Sequence, residues 1–212
     1  MREKLRRPLL NALGLLGPVA LFSYVAAMLI APSAYPGYDW MAQAVSDLSA
    51  RSAPSRELWS RLAAPYDLCA PLVPLLACVS LSQTRRYNRP LRLGVGLFAA
   101  MSWVSALDYG LFPLSEAGAP AGFENVMHLA VTALVVLLSV ASLALMLAGG
   151  LRGRAHPTLA AWAGVALGLM LAGAVGVNVV PERYFGVPER LSVLAAALFT
   201  GALGIELFRR RL

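Results

Sequence analysis

The sequence predicts an all-α fold: a polytopic membrane bundle of six transmembrane helices with a short interfacial helix in its first outer loop. Three observations carry that reading. Hydrophobic residues make up 58% of the 212-residue chain and charged residues only 14%, too little polar surface for a water-soluble domain of this length. Six apolar stretches are each long enough to cross a bilayer, which takes about 20 helical residues. They lie near 9–31, 62–82, 91–112, 126–148, 158–180 and 190–208. The third observation is that lysine and arginine cluster at alternate ends of these stretches. None of the six alternates with period two, and Leu, Ala and Val dominate, which favours helices over barrel strands. Although the net charge is +7, the basic residues flank apolar runs instead of forming a patch with interleaved aromatics, so no nucleic-acid partner is implied.

Span one follows M-R-E-K-L-R-R-P, and its apolar run from Leu9 to Ile30 is longer than a cleaved leader needs, so it reads as a retained span. The first outer loop, 32–61, is the longest connection. Pro32, Pro36 and Gly37 break the first helix, while Tyr35, Tyr38 and Trp40 suit an interfacial belt. Met41, Val45 and Leu48 recur at i, i+4 and i+7, which predicts a short amphipathic helix over 41–50 lying on the outer leaflet. Span two is punctuated by Pro65, Pro71 and Pro74, with Asp67 in its outer turn; prolines there free backbone carbonyls that neighbours must satisfy. Cys69 and Cys78 fall in this one run, about 13 Å apart along a helix, too far for a disulfide. Span five carries Gly164, Gly168, Gly173 and Gly176 for close helix contact. His156, ahead of Pro157 and just after Arg152 and Arg154, reads as a solvated surface histidine. No internal repeat and no linker divides the chain, so 1–212 forms a single transmembrane domain.

Orientation follows from the cations. Of the 18 lysines and arginines, all but Arg51, Arg56, Arg61, Arg183 and Arg190 fall on one side. The positive-inside rule makes that side cytoplasmic and places both termini there, in a multi-pass inner-membrane protein. Most carboxylates fall on the other side. Asp67, Asp108, Glu124 and His128 (i and i+4 on one helix face), and Glu189-Arg190 all end up at one level, with Ser46-Asp47 approaching from the loop. Charge at membrane depth costs about 2.5–3.5 kcal/mol even on lenient scales, so partners are needed. The expectation is that Arg190 pairs with Asp108 or Asp67, and that burial raises the pKa of at least one carboxylate.

Several uses of this cluster compete. A pocket for a membrane lipid or other amphiphile would take Asp47, Asp67, Glu124, Glu189 and Arg190 as its lining. A membrane-embedded hydrolase would use His128 as general base, Asp108 to orient it and Ser46 as nucleophile, though no G-x-S-x-G elbow is present. An accessory subunit would present the cluster to a protein partner in the membrane. The plainest reading is that the cluster only pins helix ends together. With two histidines, one on the far side, a three-histidine zinc site is excluded; no metal ligand set is singled out, and no cofactor is named.

The motifs S-D-L-S after the first span, D-Y-G-L-F-P closing span three, a histidine opening span four, and G-V-P-E-R-L opening span six resemble the bacterial membrane proteins grouped as domain of unknown function 998. The resemblance covers about residues 10 to 208. It implies a six-helix membrane domain without an established activity. Ser46, Asp47, Asp108, Phe112, Pro113, His128, Glu189 and Arg190 match its pattern, while Leu114-Ser115-Glu116 shifts the acidic residue that follows the F-P pair. More distantly, Ser, Asp and His at one membrane face is similar to the alkaline-ceramidase-like membrane hydrolases, whose further histidines are missing here.

Overall fold

The computed structural model describes residues 8–83, 87–111, 122–209 and 212, the side chains of 108–110 excepted. The main helices are α1 (Leu16–Ile30), α2 (Arg56–Cys69), α3 (Leu72–Ser82), α4 (Arg89–Leu111), α5 (Phe123–Leu151), α6 (Pro157–Val179) and α7 (Gly186–Phe208). Six helical stretches are long and apolar enough to cross a membrane, α2 and α3 together making one of them. Their bounds exceed the predicted ones where polar turns extend the helices: the second begins at Arg56 and the fourth runs on to Arg154. Apolarity marks only the part of a helix at bilayer depth, and not its ends.

The most central helix is α7. It packs against α1, α3 and α6, and 56% of its most apolar stretch is buried, against 28–39% for the other spans. Small residues let it sit there. A Cβ added to Gly17 would lie 2.7 Å from the Thr200 carbonyl oxygen and 2.8 Å from Gly204 Cα, so the α1 and α7 backbones are nearly in contact. Of the four glycines predicted for close packing, Gly173 and Gly176 meet Pro188 and Ser192 of α7. Gly168 has nothing within 4 Å, and Gly164 would reach only the end of Leu147. Between the helices lies a core centred on Phe98 of α4 and Phe199 of α7, whose rings meet edge to face at 4.9 Å.

Pro65 sits inside α2 and removes the donor for the Arg61 carbonyl; a neighbouring helix enters the ladder one residue further on. Ser23 of α1 donates to the Leu62 carbonyl at 2.6 Å and accepts from the Tyr66 amide at 3.1 Å. A hydroxyl is thus inserted into the α2 ladder at the proline. Tyr24 packs on Trp59 and Tyr66 beside it. The second span breaks between α2 and α3, at Ala70 and Pro71.

His156 departs from the sequence reading. It is buried, not solvated, at 5% exposure. Its Nδ1 accepts from the Leu159 amide at 3.3 Å as the N-cap of α6, and its ring stacks on Tyr87. Its Nε2 lies 3.8 Å from Glu206 Oε2. A histidine just before a proline reads as a loop residue. Here the same position orients the imidazole over the first α6 turn, where an acceptor is needed.

The α1–α7 seam makes a paired prediction. Gly17→Ala should lower the thermal midpoint of the detergent-solubilised protein by an amount matching about 1–3 kcal/mol of overpacking. Gly168→Ala should be neutral or gain up to about 1 kcal/mol from helix propensity. Equal effects at the two sites would contradict the seam.

Candidate functional site

The end of the bundle that carries the connection between α1 and α2 is built around Arg190, in the first turns of α7 and only 2% exposed. Its side chain is held almost wholly by backbone and aromatic groups. One terminal nitrogen donates to the Gly186 carbonyl at 2.7 Å and to the Gln43 carbonyl at 3.0 Å. The other donates to the Tyr38 hydroxyl at 2.6 Å. The guanidinium lies 4.5 Å from the Trp40 ring centroid and 5.8 Å from that of Tyr38, in cation–π contact. The Tyr38 hydroxyl in turn donates to the Ala44 carbonyl at 2.7 Å, and the Gly186 amide donates to the Met41 carbonyl at 2.8 Å. A Cβ at Gly186 would lie 2.5 Å from an Arg190 terminal nitrogen, so a larger residue would displace the guanidinium.

The loop opposite is not the interfacial helix predicted for 41–50. Over these residues the chain makes turns and then a 3-10 helix, Ser46–Ser49. Side chains take the amides a helical ladder would use. Asp39 accepts from Met41 and Ala42, and Gln43 accepts from the Asp39 amide. Asp47 accepts from Ala44 at 3.1 Å, and Glu189 of α7 accepts from Val45 at 3.1 Å. Short polar side chains compete with the helix in this way. The apolar positions also turn inward: Val45 and Leu48 are buried, while Met41 is exposed.

Two loop groups titrate away from their usual values. Burial pushes the Tyr38 hydroxyl up to about 12, against the opposing pull of Arg190. Burial also raises the Asp47 carboxyl, with the Ala44 amide and Arg190 lowering it less than burial raises it.

The candidate residues fall into separate groups. Asp47, Glu189 and Arg190 converge on the 38–47 loop, each bonded to the chain itself. Glu124 pairs instead with Arg51 at 3.2 Å, tying the loop to the first turn of α5. His128, one turn further on, is half-buried, and its carbonyl accepts from Thr132. Ser46 stands in the 3-10 turn, half-buried. Asp67 is exposed on α2 and makes no ion pair with Arg190, so that predicted pairing is corrected. Carbonyls and a phenol, which composition does not flag as counter-ions, hold the cation in its place. The Asp108 carboxylate lies outside the described side chains, as do Phe112, Pro113 and Glu116. Tyr38, Trp40, Gln43 and Gly186 carry no charge that would mark them as site residues in the sequence, although Tyr38 and Trp40 are visible there as belt aromatics. Among the described residues no group of three or more His, Cys, Asp or Glu is gathered for a metal ion.

The family model described as "Protein of unknown function (DUF998)" matches residues 18–206, nearly the whole chain, and the protein belongs to that family. No curated protein and no solved structure matches the chain.

Arg190→Met should destabilise the protein by about 3 kcal/mol or more, because two carbonyls and a hydroxyl lose their donor inside the fold. Tyr38→Phe should cost about 1 kcal/mol. Thermal unfolding in detergent, with proteolysis of the 38–48 loop, measures both; unchanged midpoints would contradict the cage. Because the folded chain holds the Asp47 proton more tightly than the unfolded chain, this group favours folding most below pH 3.8. That contribution is lost as pH climbs through the raised value. Asp47→Asn should therefore flatten the fall in stability just above pH 3.8.

Proposed function

For a family member with six helices of bilayer length, we propose an integral inner-membrane protein that binds an anionic amphiphile at its outer boundary, alone or with a partner subunit. Both termini are cytoplasmic in this reading, as the distribution of lysine and arginine requires. The guanidinium of Arg190 is committed to the protein's own backbone, so the binding surface is assigned to the flank of α2.

One observation carries this. A depression of about 560 Å³ at the start of α2 is lined by Ala53, Pro54, Arg56, Glu57, Ser60 and Arg61. Below it a single α2 face of Arg61, Ala64, Pro65 and Leu68 is exposed, followed by Leu72 and Leu75 of α3. Two guanidiniums and a hydroxyl thus stand above an apolar track. That order matches the headgroup and acyl chain of a lipid entering from the bilayer. Glu57 holds Arg61 at 2.5 Å and makes the site selective for a headgroup that can share the arginine. The first turn of α2 adds its positive partial charge.

The hydrolase reading has its own support. The Arg51–Glu124 ion pair ties the chain just after Ser46 to the helix turn preceding His128, and Asp108 would orient that imidazole.

Native mass spectrometry of the detergent-extracted protein, titrated with phosphatidylglycerol and phosphatidylcholine, decides between the readings. Binding at the α2 flank requires that Arg56→Gln/Arg61→Gln remove about one bound phosphatidylglycerol per chain, a roughly tenfold loss of affinity at that flank on the scale of one or two lost charged hydrogen bonds. Unchanged retention overturns it. Lipid turnover that His128→Ala abolishes would establish the hydrolase instead.

A further inference from the structure

The opposite end of the bundle carries its own buried polar network. Asn88 donates to the Gly149 carbonyl at 2.7 Å and accepts from the Leu91 amide at 3.1 Å, fastening the start of α4 to the end of α5. Tyr87 stacks on His156, and the His156 amide donates to the Gly150 carbonyl. Thr158 of α6 donates to Glu206 of α7 at 3.1 Å. Ser80 of α3 donates to the carbonyl of Leu212 at 3.0 Å. Helix ends from α3 to α7 are thereby gathered into one corner.

That corner is lined with arginines. Arg89 opens α4, Arg152 and Arg154 occupy the α5–α6 connection, and Arg209 follows α7; all four are exposed. Arg92, one turn into α4, is half-buried. The acidic side chain of this end among the described residues is Glu206, only 1% exposed, so no described side-chain carboxylate at the surface offsets these guanidiniums. Like charges gathered at one end of the bundle raise the local potential and attract an anion. Immediately to the membrane side of the arginines stand exposed apolar groups: Leu93, Leu151, Trp162 and Phe208. The arginines therefore lie at headgroup level, with contact surface for acyl chains beside them.

We propose that this arginine corner binds the phosphate-bearing headgroup of an anionic lipid in the leaflet next to that end of the bundle. The inference is independent of the α2 reading, because it rests on other residues at the opposite membrane face. The apolar fringe points to a lipid and not to free phosphate. The connection itself is unusual, since Arg154 is the non-glycine residue of positive φ among the described residues (52°), directly after Gly153 at 62°. A glycine there would fit the backbone more easily, which separates the side chain's contribution to binding from its contribution to folding.

The test uses the full chain in the Arg56→Gln/Arg61→Gln background, so that the α2 flank is silent. Native mass spectrometry and thermal shift are recorded with phosphatidylglycerol, phosphatidylcholine and millimolar inorganic phosphate. Phosphatidylglycerol should be retained at least about tenfold over phosphatidylcholine, and Arg89→Gln/Arg152→Gln/Arg154→Gln should remove that preference. Arg154→Gly should keep or raise the thermal midpoint in the absence of lipid while lowering retention roughly fivefold; this variant keeps the test decisive if the triple one fails to fold. Equal retention of the two lipids, full retention by Arg154→Gly, or an equal thermal shift from inorganic phosphate would overturn the proposal.

Discussion

The half of this molecule around the start of α7 depends on one cation held by oxygen atoms of its own chain. A guanidinium withdrawn from water must recover its hydration from fixed dipoles, and Arg190 does so from the Gly186 and Gln43 carbonyls and the Tyr38 hydroxyl. Because two of those partners come from the loop after α1, placing α7 also places that loop. The other end of α7 repeats the logic with opposite sign, where Glu206 is buried against Thr158 and near His156. Sixteen residues separate the two groups, about 24 Å of helix, somewhat less than a hydrocarbon core. Arg190 runs against the helix dipole, a cation near the amino end. Helix electrostatics therefore opposes it, and hydrogen bonds to the preceding turn and to the loop after α1 keep it in place.

The six spans were legible because membrane helices advertise themselves by length and apolarity, and the basic residues mark one end of the bundle. Arg190 was also legible as a charge needing partners. What the sequence concealed was their nature. Charges are visible in composition and invite pairing with opposite charges, whereas a carbonyl belongs to every residue and points to none. The 41–50 loop failed for a related reason. Met41, Val45 and Leu48 have helical spacing, but Asp39, Gln43, Asp47 and the distant Glu189 capture the amides first. Glu189 is 144 residues away from Val45, beyond any local pattern.

Two short motifs, S-D-L-S and G-V-P-E-R-L, lie far apart in the chain and face each other across the cage. Asp47 turns the first, while Gly186, Glu189 and Arg190 of the second bond to the segment ahead of it. Their role in holding the fold is therefore explicit.

The hydroxyl of Ser23, wedged between Leu62 and Tyr66, has a mechanical consequence. Sliding α1 along α2 would sever a donor and an acceptor together, leaving the proline gap open to hydrocarbon. The two helices and their connecting loop consequently travel as one stiff hairpin. At Ala70 and Pro71, where the proline nitrogen has no hydrogen to continue the ladder, the second span changes partner, from α1 alongside α2 to α4 and α7 alongside α3. Since α1 is itself seated on α7, both ends of that span are referred to the same central helix.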